Sequence, residues 1–100
     1  MVDNVRNDLV GVGITSKNIA ELGDSALNPR TSIIIRNTSL NTGDVITLNV
    51  GRDVAVANKG VVLQKGDVYA DSNSEGYISY QGRIQAICLT ANGKLSIMER

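Results

Sequence analysis

Histidine is absent from this chain of 100 residues, and cysteine occurs once, at Cys88. Without histidine, the commonest general base and metal ligand is missing, and neither a Ser-His nor a Cys-His nucleophile can form. A single cysteine excludes an intramolecular disulfide and a cysteine-based metal cluster. Carboxylate or lysine chemistry remains open, although no carboxylate pair stands out. We therefore predict a non-enzymatic protein without catalytic, cofactor-binding or metal-binding residues.

Aromatic residues and excess charge are also scarce. The chain has no Trp or Phe and three tyrosines, and ten basic residues balance ten acidic ones. The basic residues form no run, so neither a charge excess nor a base-stacking platform indicates a nucleic-acid partner. No apolar stretch approaches the roughly 20 residues of a membrane span, and the N-terminus lacks a signal pattern. We expect no membrane partner and a reducing compartment.

From residue 29 onward the pattern is typical of an all-β protein. Short runs rich in Ile, Val, Thr and Tyr alternate with Gly, Asn, Asp and Ser. The connections are too short for parallel crossovers, which favours antiparallel pairing. The sequence predicts a compact antiparallel β-sandwich or jelly roll of about eight short strands, near residues 31–37, 45–51, 53–57, 60–64, 67–71, 77–81, 83–91 and 94–100. Asn92-Gly93 predicts a type I′ hairpin between the last two.

Residues 1–28 show no sustained period of either kind. The run "LVGVGIT" is compatible with one strand, and "SKNIAELG" with one or two helical turns. We predict an irregular N-terminal arm over 1–28, lying on its own domain or on a neighbouring molecule, and a β-sandwich domain over 29–100. The alternative for the arm is a frayed terminus.

The stretch "DSNSEGYI" beginning at Asp71 matches the first half of an EF-hand calcium loop. Gly82 stands at loop position 12, where a bidentate Glu is needed, and strand-like runs flank the loop in place of helices. We interpret the stretch as a polar inter-strand loop with a turn at Gly76. The alternative is a weak cation site, formed by Asp71, Asn73, Glu75 and the Tyr77 carbonyl with the help of water or a second chain.

Several strands carry apolar residues on both faces. In "SIIIRN", Ile34 faces opposite to Ile33 and Ile35, and in "RIQAICLTA" Ile87 and Leu89 face opposite to Ile84, Ala86 and Cys88. One face of each strand in a two-layer sandwich should be wet. We therefore expect a second cover from the N-terminal arm or from another subunit. Cys88 itself is interpreted as a small buried hydrophobe.

Four stretches carry a family resemblance: "NPRTSIIIRNTS", "ITLNVG", "GVVLQKGDVY" and "GRIQAICLTANGKLSIMER". Together they resemble small structural proteins of tailed bacteriophages, namely head decoration (cement) proteins and related virion components. The resemblance implies a β-sandwich or jelly roll that assembles as a homo-oligomer, often a trimer, on the outer capsid surface. There it would bridge major capsid protein subunits after synthesis in the host cytoplasm. No functional residue is carried over.

Two other functions remain in view. A carbohydrate- or receptor-binding module of a phage tail fibre or spike would need exposed aromatics, and only Tyr69, Tyr77 and Tyr80 are available. The stretch "GVVLQKGDVY" is also similar to the middle of a cupin barrel, but the chain lacks the histidine ligands of a cupin enzyme. Gly66-Asp67 within it predicts a tight turn in which Asp67 bonds nearby backbone amides.

Overall fold

The computed structural model describes residues 6–20, 31–51, 53–77 and 80–100. These residues form eight strands and no helix, which confirms the all-β prediction. The strands are β1 (Arg6–Val12), β2 (Lys17–Ala20), β3 (Ser32–Asn37), β4 (Ile46–Val50), β5 (Val61–Leu63), β6 (Val68–Ser72), β7 (Ile84–Cys88) and β8 (Gly93–Glu99).

The strands build two four-stranded antiparallel sheets. The front sheet has the order β1-β8-β3-β6, and the back sheet has the order β2-β7-β4-β5. The antiparallel pairs are nested, β1 with β8, β2 with β7, β3 with β6 and β4 with β5, as in a long hairpin rolled up on itself. Two such sheets with this order form a β-sandwich of the jelly-roll type.

The core lies between the sheets and follows from the alternation along each strand. In β3, Ile33 and Ile35 are buried while Ile34 and Arg36 are exposed. Strands β7 and β8 alternate in the same way, because side chains of odd and even positions leave a strand on opposite sides. The largest fully buried hydrophobic side chains are Val12, Ile33, Ile35, Ile46, Leu48, Ile84, Leu95 and Ile97.

Residues 6–20 are part of the sandwich. Strand β1 pairs with β8 along its whole length, from Arg6 opposite Glu99 to Val12 opposite Gly93. Strand β2 pairs with β7 and buries Ile19 and Ala20 in the core. This corrects both the division at residue 28 and the helical turn expected at "SKNIAELG", at least over Lys17–Ala20. The remainder of the predicted arm, residues 1–5 and 21–28, lies outside the described residues.

Two predicted strands differ from the structure. Residues 53–57 do not join a sheet: Val56 forms an isolated bridge with Lys59 across a turn in which Asn58 has a φ of 64°. At 77–81, Tyr77 forms an isolated bridge with Ser74, and residues 78 and 79 lie outside the described part of the chain. The described residues form eight strands, as predicted, but β1 and β2 stand in place of the strands predicted at 53–57 and 77–81.

The connection from β7 to β8 is not a hairpin. The two strands belong to different sheets, and neither Asn92 nor Gly93 has a positive φ, so the predicted type I′ turn is wrong. Glycine is needed at 93 for another reason. A Cβ there would lie 2.7 Å from both the Cys88 Sγ and the Val12 carbonyl oxygen.

Asn37, the last residue of β3, is 1% exposed and joins the two sheets. Its Nδ2 donates to the carbonyl oxygens of Asp44 and Leu63, both at 2.9 Å, and its Oδ1 accepts from the Ser39 amide. Asp44 lies just before β4, and Leu63 ends β5. One buried amide thus holds the end of a front-sheet strand against two back-sheet strands.

We expect Asn37→Ala to lower the free energy of unfolding by at least about 2 kcal/mol. Each buried polar group that is left without a hydrogen-bond partner costs roughly 1–3 kcal/mol. Urea denaturation followed by circular dichroism measures this change. Asn41→Ala is the matched control, since its side chain is exposed on the same loop. Equal stability of the two variants would contradict the role given to Asn37.

We expect Gly93→Ala to destabilise the chain by about 1–3 kcal/mol, since an added methyl group must displace Cys88 or the β1 backbone. The control is Gly11→Ala in β1, where an added Cβ meets nothing within 4 Å. Thermal or urea unfolding compares the two. A stability loss of similar size in both variants would show that the close approach at Gly93 is unimportant.

Candidate interaction surface

The outward side of the front sheet presents exposed apolar side chains on a completed fold. Residues directly opposite in antiparallel strands share a face, so the register defines this surface. We call it the front face, and it consists of Asn7, Leu9, Gly11, Ser32, Ile34, Arg36, Val68, Ala70, Ser72, Lys94, Ser96 and Met98.

Two rows cross the middle of the front face. One row runs Asn7, Met98, Ile34, Ala70, and the next runs Leu9, Ser96, Arg36, Val68. Leu9 is 68% exposed, Val68 52% and Ile34 37%, so the apolar area is open to solvent. The inner faces already form the core, and these side chains therefore contribute little to folding.

Charge on the front face is of one sign. Arg36 and Lys94 are its cations, and none of its residues is acidic. Three acidic residues of the same sheet belong to its other side, because each lies directly opposite a core isoleucine on a neighbouring strand. They are Asp8, Asp71 and Glu99. Arg36 carries no sequence motif that marks it as functional, although its spacing from Ile34 places it outward, opposite to the buried Ile33 and Ile35.

The outward side of the back sheet, the back face, is partly covered by the chain itself. Segment 53–60 lies across it: the Ala55 amide donates to Ser16 Oγ at 2.8 Å, and the Asn58 amide donates to Thr47 Oγ1 at 3.0 Å. Ala55 and Thr47 are buried as a result. The second cover, expected from the N-terminal arm or another subunit, is provided on this side of the described residues by segment 53–60 instead. Val54 and Val56 within the segment, and Val62 and Leu89 on the sheet, remain exposed.

At one end of the sandwich, a cleft of about 340 Å³ lies between the 38–45 loop, the 89–92 loop and the adjoining ends of β1 and β8. It is lined by Gly11, Leu40, Asn41, Asp44, Ala91, Asn92, Gly93 and Lys94. Asp44 is buried there, and its Oδ1 accepts a hydrogen bond from Thr90 Oγ1. Thr90 Oγ1 also accepts from the Asn92 amide at 3.2 Å. The Asp44 carboxylate thus holds the 38–45 loop to the 89–92 loop.

The "DSNSEGYI" loop lies at the other end. Ser74 and Tyr77 exchange backbone hydrogen bonds across a tight turn, with Gly76 at a φ of 78°. The Asp71 carboxylate accepts from the Tyr77 hydroxyl at 2.7 Å and from the Tyr80 amide at 2.9 Å. Both of its oxygens are therefore used within the loop, which supports the interpretation as a polar inter-strand connection.

Other candidate residues of the sequence analysis are also placed. Cys88 is a free, buried thiol in the core, as predicted. Asp67 Oδ2 accepts from the Gln64 amide at 2.9 Å in a turn at Gly66, again as predicted. Tyr69 and Tyr80 pack against the core, whereas Tyr77 is 49% exposed, so the three rings do not form one shared platform.

Within the described ranges, no three His, Cys, Asp or Glu side chains converge as metal ligands. The same ranges contain no helix that is long and apolar enough to cross a membrane. No protein-family model, curated protein or solved structure matches the chain. The resemblance to phage decoration proteins therefore stays a prediction.

The hydrogen bond to Asp71 raises the pKa of Tyr77 above its ordinary value of 10.0, with smaller contributions from burial and the Asp71 charge. The stabilisation from this bond is fully present below the unfolded pKa and is lost as the pH rises through the higher folded pKa. We expect Asp71→Asn to shift Tyr77 ionisation to lower pH in a tyrosinate absorbance titration. The Tyr77→Phe variant lacks the Tyr77 hydroxyl, so comparing its titration with that of the original chain identifies the Tyr77 signal. An unshifted Tyr77 signal in Asp71→Asn would contradict the hydrogen bond to Asp71.

Proposed function

We propose that the chain is a non-enzymatic structural protein of a virion. It assembles as an oligomer, binds the outer surface of a capsid and stabilises the shell by bridging capsid-protein subunits. The observation that carries this proposal is the front face, where Leu9, Ile34 and Val68 are exposed on a sheet whose opposite side already forms the core. Exposed apolar patches on small proteins usually mark interaction sites.

The size of the front face suits repeated, weak contacts. Four strands of five to seven residues cover roughly 400 Å² in projection at the usual strand spacing and rise. A specific interface buries about 800 Å² per partner. One front face alone would therefore hold a partner weakly, and a stable attachment requires several copies that bind together, which multivalency rewards strongly.

A second surface is available for contacts between copies of the chain. Val54, Val56 and Val62 are exposed at the back face, on the opposite side of the sandwich from the front face. A protein that decorates a shell needs one surface for its own copies and another for the shell. Two separate apolar surfaces meet this requirement.

The proposal predicts an oligomer, which we expect to be a trimer with three times the mass of the chain in light scattering. It also predicts co-sedimentation with the expanded capsids of the phage that encodes the chain. Capsids of an unrelated phage are the control for non-specific sedimentation. A monomer that stays in the supernatant with both kinds of capsid would refute the proposal.

A glycan array distinguishes the alternative of a carbohydrate-binding module. Specific glycan binding, lost in Tyr77→Ala and combined with no capsid binding, would favour a tail fibre or spike module. Capsid binding without glycan binding is the result that we expect.

A further inference from the structure

The front face carries a charge pattern that its own sheet does not neutralise. Arg36 lies on β3, an inner strand, with Ser96 and Val68 directly opposite it. Lys94 is the diagonal neighbour of Arg36 on β8, at the roughly 7–8 Å typical of diagonal cross-strand pairs. The two cations are thus close together on a face that has no acidic residue.

Neither cation has found a partner in the part of the chain that the structure describes. Both side chains are exposed, and neither forms a hydrogen bond or ion pair with a described residue. Other cations of the chain are used locally: Lys17 Nζ donates to the Gly11 carbonyl and Lys65 Nζ to the Leu40 carbonyl. Among residues 6–20, 31–51, 53–77 and 80–100, Arg36 and Lys94 thus stand out as cations that can meet an incoming negative group.

The neighbouring residues indicate what that group belongs to. Arg36 is flanked by Ile34 and Val68, and Leu9 lies in the same row, so a partner must bury apolar area while it supplies negative charge. Binding to a nucleic acid rests on several cations that neutralise phosphates, and binding to a single strand also uses aromatic rings for stacking. The front face carries two cations and no aromatic residue. A protein surface with carboxylates around an apolar centre meets both requirements.

A second copy of the chain does not fit this face in a symmetric front-to-front contact. Symmetric pairing of two front faces would bring Arg36 and Lys94 of both copies together without a carboxylate to compensate them. Like charges that face each other across an interface disfavour association by several kcal/mol. We assign the complementary surface to a different protein, because in the proposed function the copies of this chain contact one another through the back face.

We propose that the front face is a docking surface for a carboxylate-bearing, partly apolar protein surface, with Arg36 as its central anchor. This inference rests on the proposed function, in which that partner surface belongs to the capsid protein. Guanidinium is suited to the role because it can donate two parallel hydrogen bonds to one carboxylate. Lys94 adds a second positive charge at the edge of the same face.

Capsid co-sedimentation of charge-reversal variants tests the inference. We expect Arg36→Glu to weaken capsid binding at least about tenfold, since it sets a carboxylate against carboxylates. Arg83→Glu is the matched control, with the same charge change at an exposed residue just before β7, outside the front and back faces, and we expect binding within about twofold of the original chain. Arg36→Gln removes the charge without reversing it, and we expect an intermediate loss of capsid binding. This variant tests the inference if Arg36→Glu fails to fold.

The outcomes separate the inference from the proposed function. If the original chain binds capsids and Arg36→Glu and Arg36→Gln bind equally well, the docking surface is wrong and the proposed function stands. If Arg36→Glu instead turns the oligomer into a monomer in light scattering, the front face is a self-interface and the inference is overturned. Weakening of the same size in Arg83→Glu would indicate non-specific charge attraction and would also overturn it.

A second measurement applies if the original chain does not bind capsids, in which case the proposed function falls. Poly-L-glutamate then serves as the acidic polypeptide probe in a backbone-amide NMR titration at low salt. Shifts concentrated at Arg36, Lys94 and Ser96 would support an acid-binding front face. Shifts spread over Lys17, Lys59 and Lys65 to the same extent would overturn the inference.

Discussion

The Asn37 amide hydrogen-bonds the carbonyls of Asp44 and Leu63, which introduce β4 and end β5, while its own strand belongs to the other sheet. A sandwich held only by apolar contact can slide, because apolar attraction has no direction. The buried amide supplies direction, since leaving those carbonyls without a donor is costly. The separation and alignment of the sheets therefore depend on this residue, and so does the geometry of the front face.

The same end of the molecule shows why polar residues are buried in a chain with so few aromatics. The Ser39 hydroxyl hydrogen-bonds the Lys94 backbone at the start of β8. The Thr90 hydroxyl donates to the Asp44 carboxylate and so joins two inter-sheet loops. Among the described residues no buried side-chain nitrogen or oxygen lacks a partner. Through these hydrogen bonds, polar loop residues such as Ser39 and Asp44 are buried at the end of the sandwich.

Much of the fold could be predicted from period-two alternation, which identified the six strands from β3 to β8. The alternation wrongly predicted a strand at 53–57. Ala55 is buried between exposed Val54 and Val56, as in a strand with one buried side, but it packs on the outer side of the back sheet. At β1 the run "LVGVGIT" indicated only the part from Leu9 to Val12, because outward Leu9 and inward Asp8 reverse the usual order at the start of this edge strand. The front face was beyond prediction as a surface. Its residues come from four strands that are distant in sequence, and their shared side depends on strand order and register.

The pairing of β1 with β8 has a consequence for how the molecule is made. Arg6 lies opposite Glu99, so the front sheet joins residues from near both ends of the 100-residue chain. Such long-range pairing makes folding slow, because a large loop must close before the contacts form. During synthesis, Arg36 and Ile34 emerge from the ribosome long before β8, which completes the sheet between β1 and β3. The front face thus forms only after β8 has been synthesised, because β8 joins β1 to β3.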